Sequence, residues 1–444
     1  MIISLASDAR KVLDHPLLKS IVVYAAGDLI GKAIPFILLP VIARYLSASD
    51  YGVLANFNVI LQIFVAFCAL NTYSALTVSY FRLDEKHLPA YYSNLVYLIL
   101  SITASCLLFC WLFHDVIQRY SGVTWRWQVL ALLGAASTAG ITLYTALLRM
   151  QNRVFLFNVL QIFQSVISAG LAILFVVILQ WNWQGRASSI VFATLILLSV
   201  SVWLLRRDGC LVWKPDLSLL KGAFFFGIPL LPHTLSFSLK SGMDRIIITN
   251  YVGLTANGVY SVSLTLVAVI GIFTGSFFNA YAPMLYRDLN TIDNVDTKNA
   301  LLIKKKLVKI TYGFSAVLLA VCGGSYLIMI FFVNFLFIGE YLGAIQFLPL
   351  LIATVYFDGM YSMMSGYIFH KQRTKVLGAI TFSSSVLQVL LTLFFVRNFG
   401  VMGAVYSCSL VSFITFLCVL GYTDKLYQLP WAIFRNVQLV SGIE

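Results

Sequence analysis

Residues 21–52 read IVVYAAGDLIGKAIPFILLPVIARYLSASDYG, an apolar segment of membrane-spanning length that carries Asp28 and Lys32 near its middle. A helix needs about 20 predominantly apolar residues to cross the hydrocarbon core. A charge at its centre costs about 2.5–3.5 kcal/mol on insertion scales, so charges kept at that depth face a bundle interior or a wet cavity. Residues 224–258 have the same character, with Lys240, Asp244 and Arg245 inside an apolar stretch. The two segments open what read as two halves of one molecule.

Composition extends this reading to the whole chain. Of 444 residues, 60% are hydrophobic and 11% charged, and the mean hydropathy is +0.90. A soluble protein of this length could not bury so much apolar surface, so the chain reads as an integral membrane protein. A β-barrel would show alternating segments of about 10 residues, and the sequence has none. Residues 1–20 are polar and mixed in charge and run directly into a full-length span, so the first helix is expected to stay in the mature protein. Six cysteines lie in apolar segments and Cys210 in a short loop, without disulfide or zinc spacing; they read as small hydrophobes.

Apolar runs between charged breaks predict twelve helices: 21–43, 53–78, 92–113, 127–148, 156–179, 188–205, 223–249, 259–285, 307–333, 344–369, 376–396 and 401–421. With the N-terminus inside, 22 of the 30 Lys and Arg residues fall in inner segments and 5 in outer loops. The positive-inside rule then places both termini in the cytoplasm. The net charge of +13 is spread over these inner loops rather than gathered on a soluble module, which argues against nucleic acid as a partner and for anionic lipid headgroups.

A polar break after the sixth helix divides the chain into residues 1–212 and 213–444. Shifting the sequence by 206 places Tyr45, Gly52 and Val53 on Tyr251, Gly258 and Val259, and Tyr80 on Tyr286. The expected architecture is therefore all-α: twelve transmembrane helices in two pseudo-symmetric six-helix bundles around a central cavity.

Catalytic motifs are scarce. The histidines form no metal-ligand pair at helical spacing, and neither a phosphate-binding loop nor a nucleophile elbow is present. No metal and no cofactor is expected, and the chain is not read as an enzyme. Without a loop long enough for a nucleotide-binding domain, transport would draw on an ion gradient or on substrate supply. The longest outer loop, 114–126, is too short to hold the acceptor and catalytic groups of a membrane glycan polymerase or glycosyltransferase.

Asp28 and Lys32, and Lys240 and Asp244, have i,i+4 spacing, which puts each pair on one helical face. Two readings stay open. The pairs neutralise one another so that the helices insert; or Lys32, Lys240 and Arg245 line the cavity and bind a phosphate-bearing substrate, with Asp28 or Asp358 as the site that couples transport to H+ or Na+. Pro35 and Pro40 interrupt the first helix and Pro229 and Pro232 the seventh, matched positions that suggest gating kinks.

The runs IPFILLPVIARYLSASDYGVLANF, FGIPLLP with SGMDRIIITNYVGLTANGVYSVS, and FGVMGAVYSCSLVS resemble O-antigen flippases of the Wzx type. These form part of the polysaccharide-transporter branch of the multidrug, oligosaccharidyl-lipid and polysaccharide exporter superfamily. The most specific elements are Leu46-Ser-x-Ser-Asp50-Tyr51-Gly52, Asp244-Arg245 and Gly258-x-Tyr260. The resemblance implies two six-helix lobes around a V-shaped cavity in a bacterial inner membrane. It also implies alternating-access transfer of a polyprenyl-pyrophosphate-linked oligosaccharide from the cytoplasmic to the periplasmic leaflet, beside polysaccharide-assembly proteins. Lipid II flippases carry two further helices, and a multidrug exporter of the same superfamily should have an acidic, aromatic cavity; Lys32 and Lys240 count against the latter. The motif residues Asp50, Gly52 and Gly258 read as loop and packing determinants.

Overall fold

The computed structural model describes residues 31, 34, 36–84, 86–212, 214–294 and 297–431. Asp28, Lys32 and Pro35 lie outside the described residues. The chain is all-α. Its helices are α1 (Phe36–Tyr45), α2 (Ala48–Ala69), α3 (Thr72–Tyr80), α4 (Leu88–Ser121), α5 (Trp125–Met150), α6 (Val154–Ala172), α7 (Asn182–Arg207), α8 (Leu217–Gly227), α9 (Leu231–Tyr251), α10 (Leu254–Asn294), α11 (Thr297–Leu336), α12 (Leu348–His370), α13 (Thr374–Phe399) and α14 (Val401–Tyr427). Among the described residues, 11 helical segments are long and apolar enough to cross a membrane. They correspond one to one with the second to twelfth predicted spans, and α1 overlaps the end of the first.

Local chemistry sets several helix ends. Ser47 caps α2: its hydroxyl accepts from the Asp50 amide at 3.1 Å and donates to the Asp50 carboxylate at 2.6 Å. Asp216 caps α8 by accepting from the Ser218 and Leu219 amides. Both satisfy N–H groups that the first helical turn leaves without a partner.

The chain groups into two compact units, Met1–Ser261 and Val262–Glu444. In the first, the span containing α2 is 67% buried and α5 is 61% buried, whereas the span containing α6 is only 11% buried. The central pair therefore forms the core of the unit and α6 its periphery. This unit also takes in α8, α9 and the first turns of α10, although the sequence repeat opens a new half at residue 213.

Neutral hydrogen bonds and small residues join helices in the second unit, as expected where lipid removes the usual hydrophobic drive between them. Thr392 donates to Ser407 and Thr415 to Ser384, each at 2.8 Å, across the α13/α14 pair. A Cβ on Gly403 would lie 2.2 Å from the Phe395 backbone, so only glycine permits that approach.

One turn occurs twice, once in each unit. Between α5 and α6, the Asn152 amide donates to Arg149 O and the Arg153 amide to Leu148 O, with Asn152 at φ 57°. Between α12 and α13, the Gln372 amide donates to Phe369 O and the Arg373 amide to Ile368 O, with Gln372 at φ 53°. The first copy carries an additional lock: Arg153 Nη1 donates to Asp208 Oδ2 at 2.5 Å, which holds the Asp208 carboxyl below its ordinary range.

Candidate functional site

The motif glycines meet where α2 and α10 begin. A Cβ on Gly52 would lie 2.1 Å from Leu254 O, and a Cβ on Gly258 would lie 1.8 Å from Ala48 O. Neither position admits any side chain without moving backbone. The relationship is reciprocal, because the shift that maps Gly52 onto Gly258 also maps Ala48 onto Leu254. The two helix starts thus cross about a local pseudo-two-fold, each glycine seated on the first residue of the opposing helix.

Buried amides fasten this crossing. Asn56 and Asn257 are both fully buried. Asn257 Nδ2 donates to Gly52 O and Asn56 Oδ1, each at 3.0 Å, and to Thr249 Oγ1 at 3.1 Å. Asn56 Nδ2 donates to Ser121 O at 2.8 Å and Thr249 Oγ1 at 2.9 Å. Nearby, Asn250 Nδ2 donates to Tyr120 O at 2.7 Å. The ends of α4 and α9 are thereby joined to the starts of α2 and α10.

Asp244 and Arg245 stand beside this network on α9. Asp244 is 4% exposed; its carboxylate accepts from the Tyr260 hydroxyl of α10 and from the Arg245 amide. The Arg245 side chain is half-buried, and its Nε is buried without a hydrogen-bond partner among the described residues. Lys240 lies one turn earlier on α9 and is also half-buried. Between them, Gly242 brings α9 against Val59 of α2, where an added Cβ would sit 2.9 Å from a valine methyl.

Two broken helices pack against one another in the same unit. The span containing α2 and α3 breaks at Leu70 and Asn71, which adopt left-handed φ values of 36° and 54°. The seventh span breaks between α8 and α9, where Ile228–Leu230 forms a 3-10 turn around Pro229. A Cβ on Gly227 would lie 2.2 Å from Leu70 O, and Asn71 Nδ2 donates to Thr234 Oγ1 at 3.3 Å. Pro232 opens α9 and Pro40 lies inside α1.

The candidate residues therefore separate. Lys240 and Arg245 share α9, together with Asp244. Asp358 lies in the second unit, half-buried on α12, where its carbonyl accepts from Ser362 at 2.8 Å. Arg186, assigned to an outer loop by the sequence, is instead the fifth residue of α7. Its Nη1 donates to Ser168 Oγ at 3.0 Å and Ser189 Oγ at 3.1 Å. No cluster of three His, Cys, Asp or Glu side chains suited to a metal occurs among the described residues.

Residues 17–287 match the model of a family described as polysaccharide biosynthesis protein. Two relatives from Haemophilus influenzae (strain ATCC 51907 / DSM 11121 / KW20 / Rd) align with the chain. One, an uncharacterized membrane protein, is 24% identical over 277 residues, covering 62% of this chain and 66% of the relative. The other, Lsg locus putative protein 1, is 26% identical over 280 residues, covering 61% of this chain and 66% of the relative. The match thus spans slightly less than two thirds of each relative's length.

Among solved structures, the lipid II flippase MurJ in an inward closed conformation is similar with a TM-score of 0.67 at 14% identity, covering 91% of this chain and 87% of that one. An inward-facing multidrug resistance MATE transporter of the MOP superfamily gives 0.66 at 14% identity, covering 90% and 96%. A MOP superfamily transporter from Pyrococcus furiosus, described as having a binding pocket of reverse polarity, gives 0.60 at 15% identity, covering 92% and 96%. At these identities the likeness establishes a shared fold.

Proposed function

The chain belongs to the polysaccharide biosynthesis protein family, and we propose that within it this protein is a flippase for a polyprenyl-pyrophosphate-linked oligosaccharide, an O-antigen repeat unit. Transfer runs from the cytoplasmic to the periplasmic leaflet of a bacterial inner membrane, with both termini cytoplasmic. The fold shared with a lipid II flippase supports transport of a lipid-linked sugar rather than catalysis.

The observation that carries this reading is Arg245. Its Nε lies buried in an apolar span without a hydrogen-bond partner among the described residues. An unsatisfied buried donor costs about 1–3 kcal/mol, more when charged, and a guanidinium is suited to bidentate binding of phosphate oxygens. A pyrophosphate passing through the site would supply the acceptors; a cationic drug would not. Lys240 adds a second half-buried cation on the same helix, and Lys32 is the corresponding candidate on the first.

In this topology the Gly52–Gly258 crossing lies at the periplasmic ends of α2 and α10. It acts as the closed outer gate while substrate loads from the cytoplasm, and its parting releases the glycan outward. The turn repeated between α5/α6 and α12/α13 supports two six-helix repeats as the moving bodies. Asp28 and Asp358 remain the candidates for H+ or Na+ coupling, and polysaccharide-assembly proteins the candidate partners.

Complementation of a flippase-deficient bacterium tests the reading. The wild-type chain should restore surface polysaccharide, whereas Arg245→Ala should be inserted in the membrane at normal level without restoring it. Full restoration by Arg245→Ala removes the guanidinium from the site.

A further inference from the structure

On α11 in the second unit, Leu302, Lys305, Lys306, Lys309 and Ile310 line an open groove of about 530 Å³. Their spacing of three, four, seven and eight residues places all five on one helical face. Lys306 is held by Asp288 of α10, Nζ to Oδ2 at 2.7 Å. Lys305 and Lys309 have no carboxylate partner among the described residues. Among the described residues, the groove therefore keeps two ammonium groups without a carboxylate partner beside Leu302 and Ile310, with a third fixed by Asp288.

An aromatic pair marks the depth of this groove relative to the membrane. The Tyr312 hydroxyl donates to Trp431 O at 2.8 Å, and the two rings meet edge to face with centroids 6.3 Å apart. Trp431 Nε1 in turn donates to Asp424 at 2.8 Å. Trp and Tyr with an apolar body and a tethered polar tip sit at headgroup level. At 1.5 Å per residue, Lys309 and Lys305 lie about 4.5 and 10.5 Å along the helix from Tyr312. The ammonium groups thus stand at the polar edge of the bilayer, next to the apolar run of the same helix.

We propose that this groove is a binding site for the phosphate headgroup of an anionic glycerophospholipid. The Lys305 and Lys309 ammonium groups hold the phosphate and Lys306, braced by Asp288, flanks it. Leu302 and Ile310 contact the glycerol and upper acyl carbons. A lipid satisfies both the charge and the apolar walls, whereas free phosphate satisfies only the charge. The site is independent of which substrate the protein transports.

Native mass spectrometry of the purified full-length protein, titrated with phosphatidylglycerol, phosphatidylcholine or inorganic phosphate, tests the proposal. Phosphatidylglycerol should be retained in preference to phosphatidylcholine. Lys305→Gln with Lys309→Gln should weaken that retention by about fivefold per lysine removed. Lys305→Arg with Lys309→Arg should preserve it, and Arg373→Gln with Lys375→Gln, a basic pair outside the groove, should leave it unchanged. If the double Gln variant does not fold, Lys309→Gln alone is read against wild type. Unchanged retention in the groove variants, an equal loss in the Arg373/Lys375 control, or equal binding of inorganic phosphate would overturn the assignment.

Discussion

The Tyr260 hydroxyl of α10 donates a hydrogen bond to the buried Asp244 carboxylate of α9. This bond joins two elements singled out by their sequence, Asp244-Arg245 and Gly258-x-Tyr260, and fixes the backbone from which Arg245 projects. Tyr260→Phe removes this donor from a carboxylate that is 4% exposed. Loss of about 1–3 kcal/mol of stability is expected, read as a lower unfolding temperature in detergent, and Asp244→Asn in the same background should recover part of it.

The reciprocal glycines give a second prediction. Gly52→Ala and Gly258→Ala each place a methyl about 2 Å from opposing backbone, so the crossing must open or distort at a cost of about 1–3 kcal/mol. Gly271 has no atom within 4 Å of an added Cβ, and Gly271→Ala should be neutral or slightly stabilising because it lies inside a helix. Thermal unfolding of the three variants side by side checks the contrast.

At the break in the second span, Asn71 holds φ 54°, a conformation that Asn and Gly tolerate and β-branched residues do not. Asn71→Gly should retain the fold while losing the bond to Thr234. Asn71→Val should lower the unfolding temperature well beyond that, by strain of about 1–3 kcal/mol. Equal behaviour of the two variants would mean that the backbone there is free to rearrange.

The Arg153–Asp208 lock predicts a pH dependence. Arg153 lowers the Asp208 pKa in the folded state, so the stabilisation is fully present above the ordinary aspartate value of about 3.9 and is lost as pH falls through the depressed folded value. Arg153 is 44% exposed, so solvent screening keeps the contribution below about 1 kcal/mol. The difference in stability between wild type and Arg153→Ala should be constant near neutrality and close below about pH 4.

Hydropathy made the spans legible because a membrane helix must be apolar over its whole length, and all eleven described spans lie where the apolar runs do. Its boundaries were poorer guides. The sixth predicted span, α7, starts at Asn182 rather than 188, because a helix end tolerates polar residues once their groups are satisfied. That earlier start places Arg186, an outer-loop residue by the sequence, within the helix, where Ser168 and Ser189 accept from it. The break at Leu70–Asn71 was hidden inside a continuous apolar run, with a lone asparagine as its signal. Asn56 and Asn257 carry no charge to mark them in an apolar run, yet their shared hydrogen bonds organise the crossing. The motif glycines read as packing determinants from sequence, and backbone contact is the reason.

Flipping itself is the most direct test of the account. Purified protein reconstituted in liposomes that carry a fluorescent polyprenyl-pyrophosphate oligosaccharide in one leaflet should expose the glycan to a quencher on the other side. Arg245→Ala should reduce the rate to that of empty liposomes. Transfer equal to the protein-free control for the wild-type chain, across a range of glycans and of proton and sodium gradients, would contradict the assignment as a lipid-linked oligosaccharide flippase.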